Sequence, residues 1–433
     1  MKLQTTNHQI KDQLVVGFAL FSMFFGAGNI IFPPYLGMGS GENWFTGFVC
    51  YYLADIGLAV AAIFALLKHG GDISSVTGRI GKIPGTLMVS AMILCIGPFI
   101  AIPRTGATTY EMFVVPLLGD IGSLIPTAIF FAIILLLTIR ESAVIDILGK
   151  FLTPALFIGL LILIICGLVS PVGPISDTSQ IENVVVEGIN AGYQTMDVLA
   201  AMIFGISIVK NVAEKGYTEA RIKYRVARNS SLIAAVGLLV IYCGLTFLGA
   251  TASTLYTLDI NRSELILNIT QDLLQYPGVI ILGIVVTLAC ITTAVALVSA
   301  SADYFAALSK GKLSYKLLTV LICLFSAAIA NFGIDQIVLL AQPILNLIYP
   351  GALMLILLAF FSSHLSDYAV RGTVLGAMVG SLCEILYGWH VPLSFVPRLP
   401  LSEFGFGWLI FAVLFGIAGA VIHRLKKTSS PAR

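Results

Sequence analysis

Residues Ser22-Met23-Phe24-Phe25-Gly26-Ala27-Gly28-Asn29-Ile30-Ile31-Phe32-Pro33-Pro34 place two glycines, an asparagine and a double proline inside an apolar run that begins at Leu14. In hydrocarbon every backbone N–H and C=O must find a partner within the protein, and Gly and Pro are the residues that most weaken a helix. A broken helix is the economical reading. The break frees carbonyls at the end of the first half-helix, which suit a cation, and N–H groups at the start of the second, which suit a carboxylate. Asn29 adds a neutral donor and acceptor at the junction. The competing reading is that Gly26 and Gly28 allow close helix packing and that the prolines end the span.

Composition puts this segment in a membrane. Of 433 residues, 58% are hydrophobic and 11% charged, and the mean hydropathy is +0.98. So few charges cannot coat soluble domains of this length, which excludes soluble enzymes, disordered chains and nucleic-acid binders. The apolar runs are long enough for spanning helices of ~20 residues and lack the ten-residue alternation of barrel strands. The fold class is therefore all-α and polytopic. The seven cysteines all fall in apolar runs without CxxC spacing, so neither a metal site nor a disulfide framework follows. The first run shows no small-residue cleavage signal and reads as a retained span.

Twelve transmembrane helices are expected, near 14–36, 44–67, 83–115, 122–139, 147–169, 189–209, 229–256, 278–306, 315–331, 336–361, 370–388 and 404–422. With the N-terminus in the cytoplasm, 21 of the 24 Lys and Arg fall on the inner side; Arg262 and Arg398 lie outside and Arg104 within a span. That asymmetry sets the orientation, with both termini cytoplasmic. Six of the inner bases sit between Lys210 and Arg228, as expected for a solvated cytoplasmic loop. Residues 1–433 read as one membrane domain. Five spans precede the sixth, so topology permits an inverted repeat of 14–170 on 189–361, with 370–422 peripheral.

Three segments carry a family likeness. Gly26-Ala27-Gly28-Asn29-Ile30-Ile31-Phe32-Pro33-Pro34-Tyr35-Leu36-Gly37, Gly97-Pro98-Phe99-Ile100-Ala101-Ile102-Pro103-Arg104-Thr105 and Gly192-Tyr193-Gln194-Thr195-Met196-Asp197-Val198-Leu199-Ala200-Ala201 resemble the branched-chain amino acid:cation symporters of bacteria. The resemblance implies a LeuT-like fold, discontinuous first and sixth spans, two peripheral helices, and sodium-driven uptake of leucine, isoleucine and valine across the bacterial cytoplasmic membrane. In the eighth span, Ala289-Cys290-Ile291-Thr292-Thr293 sets a carbonyl and two hydroxyls at i, i+3 and i+4 on one helix face. Hard oxygen donors of this kind suit a small cation. The cluster looks like the Ala-x-x-Thr-Ser sodium ligands of LeuT-fold transporters; by position, Ser22 and Phe25 would supply the partner carbonyls. The alternative is two threonines bonding back to carbonyls one turn earlier.

Ionisable groups inside spans are functional candidates, because each costs ~2.5–3.5 kcal/mol at mid-span. Asp197 follows the Tyr-Gln-Thr-Met run and would meet a substrate ammonium, help hold an ion, or form an interhelical bond. Arg104, after Pro98 and Pro103, would hold a gate through an acidic partner or face the substrate carboxylate. Glu111, ~10 Å further along the same helix face, is not its direct partner. Asp55 and Glu384 read as structural or peripheral. All five histidines lie in loops or tails, which tilts coupling toward sodium and leaves protons as the alternative.

The expected site thus sets the substrate carboxylate on Gly26, Ala27, Gly28 and Asn29, with Arg104 and Asp197 nearby. Ile100, Met196, Leu199 and Ala200 form its apolar wall, and sodium lies among Ser22, Phe25, Ala289, Thr292 and Thr293. A secondary carrier working by alternating access is expected, with no catalytic residues and no cofactor beyond the coupling ion. Its partners would be branched-chain L-amino acids, sodium and the bilayer, with no nucleic acid. The alternatives are a proton-coupled carrier of the same fold for another amino acid or a nucleobase, and a channel.

Overall fold

The computed structural model describes residues 2–70, 73–139, 144–203, 212, 217, 219–361 and 365–428. Among them every regular element is helical, as a lipid solvent requires. In chain order the main helices are α1 (Lys2–Phe24), α2 (Ala27–Ser40), α3 (Trp44–Tyr52), α4 (Leu58–Lys68), α5 (Lys82–Leu94), α6 (Ala101–Thr109), α7 (Leu124–Ile139) and α8 (Val144–Val169). They continue with α9 (Val184–Thr195), α10 (Ala220–Thr251), α11 (Arg262–Leu308), α12 (Tyr315–Ala330), α13 (Ile334–Phe360), α14 (Asp367–Gly388) and α15 (Trp408–Thr428). Residues 197–203 are also helical. Among the described residues, seven helical stretches are long and apolar enough to cross a bilayer, and three shorter apolar helices accompany them.

The expected break in the first span is present between α1 and α2, but the double proline does not make it. Contrary to the reading in which the prolines end the span, α2 runs through Pro33 and Pro34 to Ser40. Each proline forfeits the N–H that would reach a carbonyl four residues back. Backbone packing compensates: a Cβ on Gly249 would strike the Pro34 carbonyl, and one on Gly37 the Thr246 carbonyl, so α2 and α10 touch main chain to main chain.

In the third span the helix changes to a wide turn over Cys95–Phe99, Gly97 leaves helical geometry (φ −95°, ψ −128°), and α6 begins after Ile100. Pro103 then falls in the first turn of α6, where a missing N–H costs little. Within α11 the helix breaks at Gln275 (φ 58°, ψ −173°) ahead of Pro277, which separates a segment beginning at Arg262 from the helix expected to start near 278.

The chain packs as two compact units. The first comprises Met1–Ile56, Leu94–Met196 and Arg225–Ala341. Within it α9 lies on α3, and α11 packs against α2, α6 and α8, while α12 covers α7. The α9–α3 approach is close because a Cβ on Gly188 would sit 2.7 Å from the Gly47 carbonyl oxygen. The second unit comprises Gly57–Ile93, Asp197–Tyr224 and Gln342–Arg433. Its tightest pair is α14 on α15, where Gly372, Gly376 and Gly380 let the backbones meet. Glu384 accepts the N–H groups of Gly407 and Trp408 at the start of α15.

Candidate functional site

The first break is a change of hydrogen-bond partners. Gly26 is extended (φ −107°, ψ −172°), and its N–H turns to the Phe24 carbonyl at 3.0 Å and to Asn29 Oδ1 at 3.3 Å. The Ser22 carbonyl, four residues back, thereby loses its helical donor. The Asn29 N–H reaches Gly26 O at 3.2 Å, and its side-chain Nδ2 donates to the Tyr242 hydroxyl. Tyr242 is itself fixed by aromatic contacts, with ring centroids 5.4 Å from Tyr51 and 6.2 Å from Phe25. Ala27, Gly28 and Asn29 form the buried first turn of α2, where N–H groups and the positive helix end favour an anion.

The second break falls at Met196, buried and left-handed (φ 66°, ψ 15°), just after α9. Gln194 and Thr195, the last residues of α9, offer carbonyls without helical donors. Arg104 takes them: Nη1 donates to Gln194 O at 2.6 Å, and Nη2 lies 3.5 Å from Thr195 O. Its guanidinium carbon lies 5.4 Å from the centroid of the Phe32 ring, and a Cβ on Gly28 would come within 2.8 Å of Nη2. Arg104 is 3% exposed, so one buried cation links the C-terminal end of α9 to the first turn of α2. The sequence reading offered it an acid or a substrate carboxylate; to these the structure adds backbone carbonyls and an aromatic face.

Asp55 also meets the second break. It is fully buried in the wide turn Leu53–Gly57 and lies 2.7 Å from the Thr195 hydroxyl, which is 2.6 Å from Gly192 O. Glu111 accepts the Ser263 hydroxyl and the Ile334 N–H, in line with its separation from Arg104.

Of the expected ion ligands, Thr293 is beside the break, its Cγ2 3.8 Å from where a Gly26 Cβ would stand. Thr292 Oγ1 donates to Ala289 O at 2.9 Å, the back-bonded arrangement of polar membrane helices. Its lone pairs and those of the carbonyl stay available as hard donors. Phe25 is buried against Phe21, ring centroids 5.5 Å apart, and Ser22 is half-buried near the end of α1. Ile100 is buried at the third-span break, where its carbonyl accepts the Arg104 N–H at 3.1 Å. Asp197, Leu199 and Ala200 belong to the second unit and are buried in the helical segment 197–203. Asp197 stands at the start of that segment, where the helix dipole favours an acid.

Sequence reasoning missed Tyr242, the pairing of Asp55 with Thr195, and the use of the Gln194 carbonyl. Gln194 and Thr195 stood inside a quoted motif; a lone tyrosine in an apolar run gave no signal.

The model of the branched-chain amino acid transport proteins matches residues 9–426. The chain belongs to this family. It is a multi-pass membrane transporter and not an enzyme. It is 35% identical over 428 residues to the branched-chain amino acid permease BraB of Bacillus subtilis, covering 95% of both chains. It is 34% identical to the branched-chain amino acid permease BrnQ of Escherichia coli K12, covering 96% of this chain and 97% of that one. Among solved structures, Mhp1, a nucleobase-cation-symport-1 family transporter, matches with a TM-score of 0.64 at 13% identity, over 96% of this chain and 93% of that chain. At that identity the likeness is one of fold, and the transporter has the LeuT-like architecture that the three motifs implied.

Proposed function

We propose that the transporter is a sodium-coupled symporter importing leucine, isoleucine and valine by alternating access across the bacterial cytoplasmic membrane, with both termini cytoplasmic. The observation that carries the reading is the first break, where a released Ser22 carbonyl and the buried first turn of α2 flank Gly26 with Thr293 alongside. Sodium would bind among the Ser22, Phe25 and Ala289 carbonyls and the Thr292 and Thr293 hydroxyls, ordering the break. The amino acid would then lay its carboxylate on the N–H groups of Ala27 to Asn29. Its ammonium would take the carbonyls that end α9. Ile100 and Met196 would line the apolar subsite, and because one methylene discriminates by only ~1–3 kcal/mol, all three branched-chain substrates would be accepted. Residues 14–170 and 189–361 would act as the two repeats.

Proton coupling is the second reading, favoured by two buried carboxyls, Asp55 and Asp197. Uptake of labelled leucine into proteoliposomes, with sodium and proton gradients imposed separately, distinguishes the two. A sodium gradient alone is expected to drive accumulation, and the Thr292→Ala, Thr293→Ala double variant to lose most sodium activation. Accumulation under a proton gradient alone would replace sodium by protons. No leucine uptake under either gradient would overturn the substrate assignment.

A further inference from the structure

Arg104 occupies, with its own positive charge, the carbonyls that the proposed function gives to the substrate's ammonium. A guanidinium and an ammonium are both pure donors, and the ends of helices favour cations at the carbonyl side. The Gln194 and Thr195 carbonyls accept one such cation at 2.6 and 3.5 Å. The same guanidinium reaches the first turn of α2, the region proposed for the substrate carboxylate, coming so close to Gly28 that no Cβ fits without displacing it. Its position is buried, so carbonyls that lost this cation without a replacement would be left desolvated and unpaired, a costly state.

We propose that Arg104 is a built-in stand-in for the substrate's ammonium and that it makes the site selective for zwitterions. A ligand carboxylate entering beside Gly28 attracts the guanidinium by a charge-assisted bond. The ligand's ammonium then takes over the Gln194 and Thr195 carbonyls. An amine without a carboxylate has nothing to draw Arg104 away. A 2-oxo acid draws it away but leaves the carbonyls bare. Only a ligand carrying both charges completes the exchange. This inference rests on the proposed amino-acid site.

The test measures binding of L-leucine, 3-methylbutylamine and 4-methyl-2-oxopentanoate to the purified transporter in nanodiscs with saturating sodium chloride. The wild-type protein is expected to bind leucine and to exclude both analogues. Arg104→Gln removes the stand-in, so the amine should gain at least tenfold in affinity while leucine weakens and the oxo acid gains nothing. Gly28→Ala displaces the guanidinium without removing it and should also admit the amine; it carries the test where Arg104→Gln elutes as aggregate. Arg104→Lys keeps a cation on the carbonyls and should still exclude the amine. Intact leucine binding by wild type with no amine gain in either Arg104→Gln or Gly28→Ala overturns the stand-in and leaves the substrate reading standing. Absence of leucine binding by folded wild-type protein overturns the substrate reading itself.

Discussion

The two broken helices expose similar backbone groups by different means. At the first, glycine gives way in an ordinary extended conformation, and the cap is local: Asn29, three residues on, accepts the Gly26 N–H. At the second the turning residue is Met196, left-handed without being glycine, a geometry that costs an L-residue roughly 1–2 kcal/mol. The surroundings hold it there. Arg104 takes the carbonyls that end α9, and Asp55 lies against the Thr195 hydroxyl. The first break is thus written into four consecutive residues, Gly26 to Asn29, and capped by a neutral side chain. The second is assembled by two buried ionisable groups from distant parts of the chain, so substitutions should damage it more.

The largest expected effect is at Thr195. Thr195→Val removes the hydroxyl beside the fully buried Asp55 carboxyl, and losing a hydrogen-bond partner of a buried polar group costs about 1–3 kcal/mol. Thermal unfolding in detergent should show a drop of several degrees. Thr195→Ser keeps the hydroxyl and should stay within about 1 kcal/mol of wild type. Equal losses in the two variants would mean that packing of the β-branched side chain, and not the contact with Asp55, supports the second break.

Next is Asn29. Asn29→Ala deletes a cap worth typically about 1 kcal/mol together with the bond to Tyr242. The Gly26 N–H, then held by the Phe24 carbonyl alone, can swing back to the Ser22 carbonyl, competing with the ion proposed there. The sodium concentration for half-maximal leucine uptake should rise by about tenfold, with a smaller change in maximal rate. An unchanged sodium dependence would separate the cap from the ion site.

This contrast also accounts for what the sequence made legible. Gly26, Gly28 and Asn29 advertise a break because glycine and asparagine are poor choices inside an apolar helix, and the helical class followed from composition together with the length of the apolar runs. The role of Pro33 and Pro34 was misread because their compensation, the main-chain contact of α2 with Gly249 and Gly37, comes from residues far along the chain. Met196 has no local signal, since methionine is a good helix former; its left-handed turn is a product of tertiary packing. Arg104 was recognised as costly, but the carbonyls of Gln194 and Thr195 that it reaches carry no residue identity for a sequence to reveal. Asp55 read as structural for the same reason: its neighbour Thr195 looks like any hydroxyl.

The smallest effect tests whether the first break is as local as it looks. Tyr242→Phe removes the hydroxyl that accepts from Asn29 Nδ2 and keeps the ring against Tyr51 and Phe25. A single neutral hydrogen bond is worth about 1 kcal/mol net, and the Asn29 Oδ1 cap on Gly26 survives. Half-maximal sodium should therefore shift by only about three- to fivefold, less than for Asn29→Ala, with little change in thermal stability. Should Tyr242→Phe match Asn29→Ala in full, the cap would be one that hangs from Tyr242. Both breaks would then be tertiary constructions, and the difference between them would reduce to charge alone.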